Sequence, residues 1–444
     1  MSAKSNHIPR LLLCTYDPSL SGGNHGGRRA HLYIEPLTAK GWKVDVLTTS
    51  LPDSDPECTR ALLERCPNVR LIRSWPGPTA TLRRLASGPL MRPGGPLGEA
   101  PPRKRRFAVR VLRTFYHTLQ TLAVPDEKVE WLPFLLPKTV TILWKTQYAC
   151  LLSWGFPRVS VLAGYLINLL TRCPWIIDYA GEPWGFSNHL PKWRLPLDRA
   201  VEGKMLRAAD RIIVASQEMK RGFEVTYGSE VARKVAVVSF GFDPDPCAPG
   251  QALCPTGFRM VHTGVLYPGR RTPRAWFDAL VRLAELDALA FVHSGKVPYD
   301  VRICGPFIHM RRALGGKFQD KGYLTRQEVV ELQKSATVLI AFLYEEYALP
   351  IKLFEYIGLH KPLLVVRQRR DDPMGRLIED RRWGVVVDNE AVEIECAVRR
   401  LHSMWVDGTL STRFTLSDDR DEFLWPRLGL TASKIVDEVS HRSG

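Results

Sequence analysis

The stretch ALPIKLFEYIGLHKPLLVV, residues 348–366, sets a lysine and a glutamate, Lys352 and Glu355, three residues apart just after Pro350. On a helix opening at the proline they share one face. Two chemistries fit. An ordinary surface ion pair stabilises a helix by only about 0.2–0.5 kcal/mol. An anion site would use the N–H groups and positive dipole end of the helix start, with the Lys352 ammonium beside them. Other segments offer matching groups. SGGNHGGRR carries Gly22, Gly23, Gly26 and Gly27, where backbone can approach a phosphate or sugar closely, although the spacing is not G-x-G-x-x-G. His25 in the same loop either meets a sugar hydroxyl or fills a turn. HTGVLYPGRR brings Gly264, Arg270 and Arg271 together. Guanidinium forks match phosphate oxygens, while a solvated loop accounts for two adjacent arginines equally well. RICGPF offers Gly305 at a strand end, and WIIDYAGE offers Asp178 and Glu182, to orient an acceptor or sugar or to cap a turn.

The elements that must hold these residues alternate. RLLLCTYD (10–17) reads as a strand, the Gly-rich loop follows, a helix spans about Arg28 to Lys40, and KVDVLTT is the next strand. That is the βαβ pattern of a parallel sheet, with the loop at the carboxyl end of its first strand. Further strands are expected at 68–75, 149–154, 175–180, 211–216 and 234–244, and a buried helix at 159–171. DPDPCAPGQALCPTG (243–257) has the Pro/Gly content of a linker. Alternation then restarts, with strands at 258–264, 300–305, 337–343, 362–366 and 384–388 and helices near 273–286, 326–335, 351–358 and 391–406. The expectation is two Rossmann-like, doubly wound α/β domains facing across a cleft, with ligands outside the carboxyl ends of the strands. The boundaries are 1–245, 246–422 and a terminal helix, 423–444, that packs back toward the amino-terminal domain.

At 444 residues the chain exceeds what one core usually serves. No uncharged apolar run reaches the roughly 18–20 residues of a membrane span, and the apolar stretch near the N-terminus is too short for a secretory signal. Nine cysteines without metal-ligand spacing indicate reduced thiols and a cytoplasmic location. A net charge of +16 calls for an anionic partner. Residues 103–113 hold Arg103, Lys104, Arg105, Arg106, Arg110 and Arg113 with no acid between Glu99 and Asp126. They suit an anionic membrane surface, nucleic acid being the weaker alternative and a solvated loop the plain one.

Taken in order, these motifs resemble the retaining, nucleotide-sugar-dependent GT-B glycosyltransferases of the large bacterial family that includes polysaccharide and phosphatidylinositol mannosyl transferases. The residues that carry the likeness are SGGNHGG, DYAGEPW, AADRIIVASQEMKRGF, HTGVLYPGRR and above all PIKLFEYIGLHKPLLVV. The resemblance implies a UDP- or GDP-linked sugar donor, no metal, and transfer to a hydroxyl of a glycan, lipid-linked or other acceptor. It further implies that Lys352 and Arg270 or Arg271 neutralise the diphosphate, and that Glu355 accepts hydrogen bonds from the ribose. Gly22, Gly23, Gly264 and Gly305 would line the donor. One departure stands out. Many relatives carry a glutamate eight residues before the second, and here that position is Tyr347, with Glu345 and Glu346 displaced. An epimerase-like enzyme on the same scaffold, or glycosyl transfer to nucleic acid, is the competing reading. A peripheral place on the inner membrane face follows from residues 103–113.

Overall fold

The computed structural model describes residues 8–20, 28–53, 56–80, 118, 121–179, 181, 183, 185, 191–244, 257–266, 273–295, 301–343, 349–414 and 418–441. They form two compact units, one gathering residues up to Phe240 and from Trp425 onward, the other Gly241–Leu424.

The sheet of the first unit contains β1 (Arg10–Cys14), β2 (Lys43–Thr49), β3 (Val69–Ser74), β4 (Cys150–Trp154), β5 (Trp175–Tyr179), β6 (Arg211–Val214) and β7 (Val235–Val237). Their order is β3-β2-β1-β4-β5-β6-β7, and every pairing is parallel. A parallel sheet covered on both faces needs unbroken apolar runs, and Leu11, Leu12, Leu13, Trp175, Ile176 and Ile177 are all buried. The expected helix after β1 is divided into a 3-10 turn, Arg28–Leu32, and a helix, Ile34–Ala39. The helix Val159–Thr171 has the expected bounds. Its start is fixed by Asp126, whose carboxylate accepts from Val159 N at 3.2 Å and Lys128 N at 3.0 Å. The helix Trp425–Ser440 lies against Ile34–Ala39: Lys40 bridges to Asp437 at 2.6 Å, and Gly429 meets Pro36 where a methyl group would come within 3.2 Å.

In the second unit the strands are β8 (Phe258–Thr263), β9 (Leu289–Ser294), β10 (Phe318–Asp320), β11 (Val338–Leu343), β12 (Leu363–Arg367) and β13 (Gly384–Asp388), in the order β10-β9-β8-β11-β12-β13 and again all parallel. The helices Arg326–Lys334, Ile351–Gly358 and Ala391–Val406 fall where the sequence places them. The segment 300–305 does not. Its residues 301–305 belong to a helix, Val301–Leu314, and the strand of that region is β9 instead. Phe307, Met310 and Leu314 are buried at helical spacing, a stripe beyond Gly305-Pro306, the dipeptide that reads as a strand terminator.

Asp178 stands near the end of β5. Its side chain is fully buried and both oxygens are taken: Arg29 Nε donates at 2.7 and 2.9 Å, and the Tyr33 hydroxyl donates as well. Arg29 also donates to the carbonyls of Val238 at 2.8 Å and Ser239 at 3.1 Å, and lies 5.2 Å from the centre of the Phe240 ring. It is the anion of a buried pair that ties β5 to the chain after β7. Arg29→Ala would leave that carboxylate buried without its cation, at a cost of about 3–5 kcal/mol. The urea midpoint should fall accordingly, and an unchanged midpoint would contradict the assignment.

Candidate functional site

The candidate site lies at the carboxyl ends of β8 and β9. Both strands end on a glycine in a conformation that side chains avoid, Gly264 at φ +134° and Gly295 at φ +141°. Gly264 N donates to Ser294 O at 2.7 Å, and Gly295 N to Gly322 O at 2.9 Å, so the turns lie against one another. A methyl group on Gly295 would sit 2.0 Å from Gly264 O. One on Gly264 would sit 1.5 Å from Lys352 Nζ. The ammonium therefore occupies the space that the missing side chain leaves, and it donates to Thr263 O at 2.5 Å.

Two helices set that geometry. Helix Ile351–Gly358 opens after Pro350 with no capping side chain and no acid in its first turn. Leu353, Phe354, Tyr356 and Ile357 are buried, leaving Lys352 and Glu355 half-buried on the other side. The Tyr356 hydroxyl lies 2.9 Å from both Thr263 N, which donates to it, and Thr263 Oγ1, and burial pushes its phenol up to about 12. Gln333, on the helix Arg326–Lys334, donates to Thr263 Oγ1 at 2.9 Å. At its far end the helix Ile351–Gly358 is closed by a buried cation: Arg420 donates to Ile357 O at 2.6 Å and sits 5.2 Å over the Trp383 ring. Burial brings the Arg420 pKa down to about 10. A cation at the C-terminal end and an uncapped start match the helix dipole at both ends. Phe242 packs where a side chain at Gly358 would be, and Phe423 meets Phe354 with ring centres 5.4 Å apart.

Two histidines complete the neighbourhood. His262 on β8 and His293 on β9 stack with centroids 5.2 Å apart and Nδ1 atoms 3.1 Å apart. Burial pulls both below the usual range, His293 to about 4; His293 further disfavours charge on His262, Asp320 opposes the fall at His293, and the nearby Lys352 charge adds to the shift at each ring.

Of the residues expected to bind or react, the structure brings Lys352 and Gly264 into contact and sets Glu355 one helical turn along. Gly305 is not at a strand end. It lies inside the helix Val301–Leu314, where a methyl group would meet nothing within 4 Å, so no close approach requires glycine there. Gly22, Gly23, His25, Glu182, Arg270, Arg271, Glu345, Glu346, Tyr347, the basic segment 103–113 and most of the 243–257 linker lie outside the described residues. Sequence reasoning missed Gly295, Tyr356, Gln333 and the histidine pair. The signal for Gly295 was available, since FVHSG repeats the apolar-strand-then-glycine pattern of MVHTG.

No protein-family model matches the chain, and no curated protein does. Solved structures do. Sucrose-phosphate synthase from Thermosynechococcus elongatus is 16% identical over 98% of this chain and 99% of that one, with a TM-score of 0.62. HepE of Anabaena, solved in complex with UDP-glucose, is 12% identical over 97% and 100%, with a TM-score of 0.63. A glycosyltransferase from Rickettsia africae is 12% identical over 97% and 98%, at 0.60. The fold is GT-B. Within that fold, the glycines that follow β8 and β9 and the helix of Lys352 meet at one end of the second sheet.

Two outcomes test this geometry. Gly264→Ala forces the Lys352 ammonium out of its position and strains the backbone, so binding of any anion held by Lys352 should fall as far as in Lys352→Ala; a variant that binds as the parent does contradicts the packing. A histidine held below its ordinary 6.5 contributes stability that is complete above 6.5 and is lost as the pH falls toward about 4. His293→Gln should therefore flatten the fall in melting temperature across that window, and an unaltered acid profile would show that the ring is not kept neutral by the fold.

Proposed function

We propose that the protein is a glycosyltransferase that moves a sugar from a UDP- or GDP-linked donor to a hydroxyl of a glycan, lipid-linked or other acceptor, with retention of configuration. The observation that carries this reading is the Lys352 ammonium fitted against Gly264 at the end of β8, beside an uncapped helix start, on a GT-B scaffold.

A sugar nucleotide already contains its leaving group. As the bond from the anomeric carbon to the diphosphate oxygen breaks, negative charge gathers on the diphosphate, and the acceptor oxygen bonds to the same carbon and gives up its proton to the departing diphosphate. The site must stabilise that charge and hold the acceptor on the face from which the diphosphate departs, as retention requires. In this reading Lys352 and the dipole of the helix Ile351–Gly358 face the diphosphate, Arg270 and Arg271 add their guanidinium forks, and Glu355 accepts from the ribose hydroxyls. These cations take the role a metal would have. The backbone at Gly264 lies along the donor, and Gly22 and Gly23 admit donor or acceptor close to the first unit. The enzyme acts in the cytoplasm on the inner membrane face, which suits the basic segment 103–113.

A panel of UDP- and GDP-sugars in a thermal-shift series tests the reading, because a ligand that binds only the folded state raises the melting temperature. One class of donor should stabilise the protein. Lys352→Ala and Glu355→Ala should each weaken that donor by about 1.5–3 kcal/mol, roughly 10- to 150-fold, with the unliganded melting temperature unchanged. Equal affinity in both folded variants, or no stabilisation by any donor, would refute the assignment.

A further inference from the structure

The helix Leu132–Leu143 buries Leu132, Leu135 and Thr139 against the first unit and turns Phe134, Pro137, Lys138 and Val140 outward, with Trp144 and Lys145 continuing the same side just beyond its end. Helical spacing keeps these six on one arc. Trp144 is 88% exposed, the extreme case for a residue type that normally buries most of its surface. The stripe extends sideways to Trp75, itself exposed and packed edge-on to Phe134 with centroids 4.6 Å apart. It also extends toward the helix Val159–Thr171, where Leu169 and Leu170 are exposed; the ends of both helices border one cavity of about 440 Å³.

Along the sequence the charge of this stretch has a single sign, although Arg158 pairs with Asp198 at 3.9 Å. From Glu130 to Asp178 the chain contains no aspartate or glutamate, while Lys138, Lys145, Arg158 and Arg172 fall inside that span. Exposed aromatic rings interleaved with basic side chains, and no carboxylate on two successive helices, fit a partner that is both apolar and anionic. Indole rings favour the headgroup level of a bilayer, and basic amphipathic helices lie in its plane. A second copy of the chain would bring lysines against lysines across a two-fold contact. We propose that this side of the first unit docks on an anionic lipid bilayer, with Trp144, Phe134 and Trp75 entering the headgroup layer and Lys145 facing lipid phosphate. The surface shares a membrane location with the function proposed above, but it is built from other residues than 103–113 and Lys352.

The full-length protein is sedimented with vesicles of equal parts phosphatidylglycerol and phosphatidylcholine, in parallel with phosphatidylcholine alone. The parent should bind the anionic vesicles, and a Phe134→Ser, Trp144→Ser double variant should bind them at least tenfold more weakly with its melting temperature and donor affinity unchanged. Lipids brominated near the headgroup should quench tryptophan emission less in Trp144→Phe than in the parent. Undiminished vesicle binding by the double variant overturns the proposal. If replacing Arg103, Lys104, Arg105 and Arg106 with Ser then removes that binding, the membrane contact belongs to the basic segment. A change in oligomeric state of the double variant, with no vesicle binding by either protein, also overturns it and makes the stripe a contact between copies. Donor affinity is read independently, so failure here is distinguishable from failure of the glycosyltransferase reading.

Discussion

The position of one ammonium group constrains the second unit. Lys352 Nζ fills the volume that a side chain at position 264 would need, and no residue but glycine could stand there at φ +134° without displacing it. The same restriction passes one strand along, because Gly295 must yield its own side chain to Gly264 O. β8, β9 and the helix Ile351–Gly358 can therefore approach one another only with this sequence at their ends. Thr263 records the convergence, its backbone and hydroxyl shared among Lys352, Tyr356 and Gln333. At the other end of the helix Arg420, Phe242 and Phe423 hold it in place. A cation fixed this way needs little reorganisation when charge develops next to it, which is the condition under which electrostatic stabilisation is most effective.

The two units use charge differently. In the first, two buried carboxylates, one on a strand and one on the helix Leu195–Ala208, are held by internal partners. Asp178 holds Arg29 and Tyr33, and Glu202 accepts from Tyr179 at 2.9 Å, from Gly185 N at 2.8 Å and from Tyr227. Burial and the adjacent carboxylate raise the Tyr179 and Tyr227 phenols, which keeps both as neutral donors. Such networks fix loops; removing one partner is costly because the other is left desolvated. In the second unit the strand ends of β8 and β9 have glycines and a lysine instead, and the neighbouring histidines are held neutral.

Much of this was legible in the sequence where periodicity and punctuation agree. The helix Ile351–Gly358 begins at a proline and ends before a strand of unbroken apolar residues, and the helix Val159–Thr171 is apolar enough to be buried without ambiguity. Legibility failed where two signals conflicted. VRIC alternates like a strand and is followed by Gly305-Pro306, yet the burial stripe of Phe307, Met310 and Leu314 continues the helix past the proline. Asp178 was legible as a polar residue at a strand end but not as the partner of Arg29, because a contact across 149 residues leaves no local trace. The exposure of Trp144 is likewise a property of packing; hydrophobicity alone would have placed it inside.

The most direct test of the Lys352 site compares the affinity of the protein for a nucleoside diphosphate with its affinity for the nucleoside alone, by calorimetry, in the parent and in Lys352→Ala. A site built around this ammonium predicts that UDP or GDP binds the parent far more tightly than uridine or guanosine, and that the variant loses most of that difference while keeping its affinity for the nucleoside. Equal affinities for diphosphate and nucleoside in the parent, or a difference that survives intact in the variant, would contradict it.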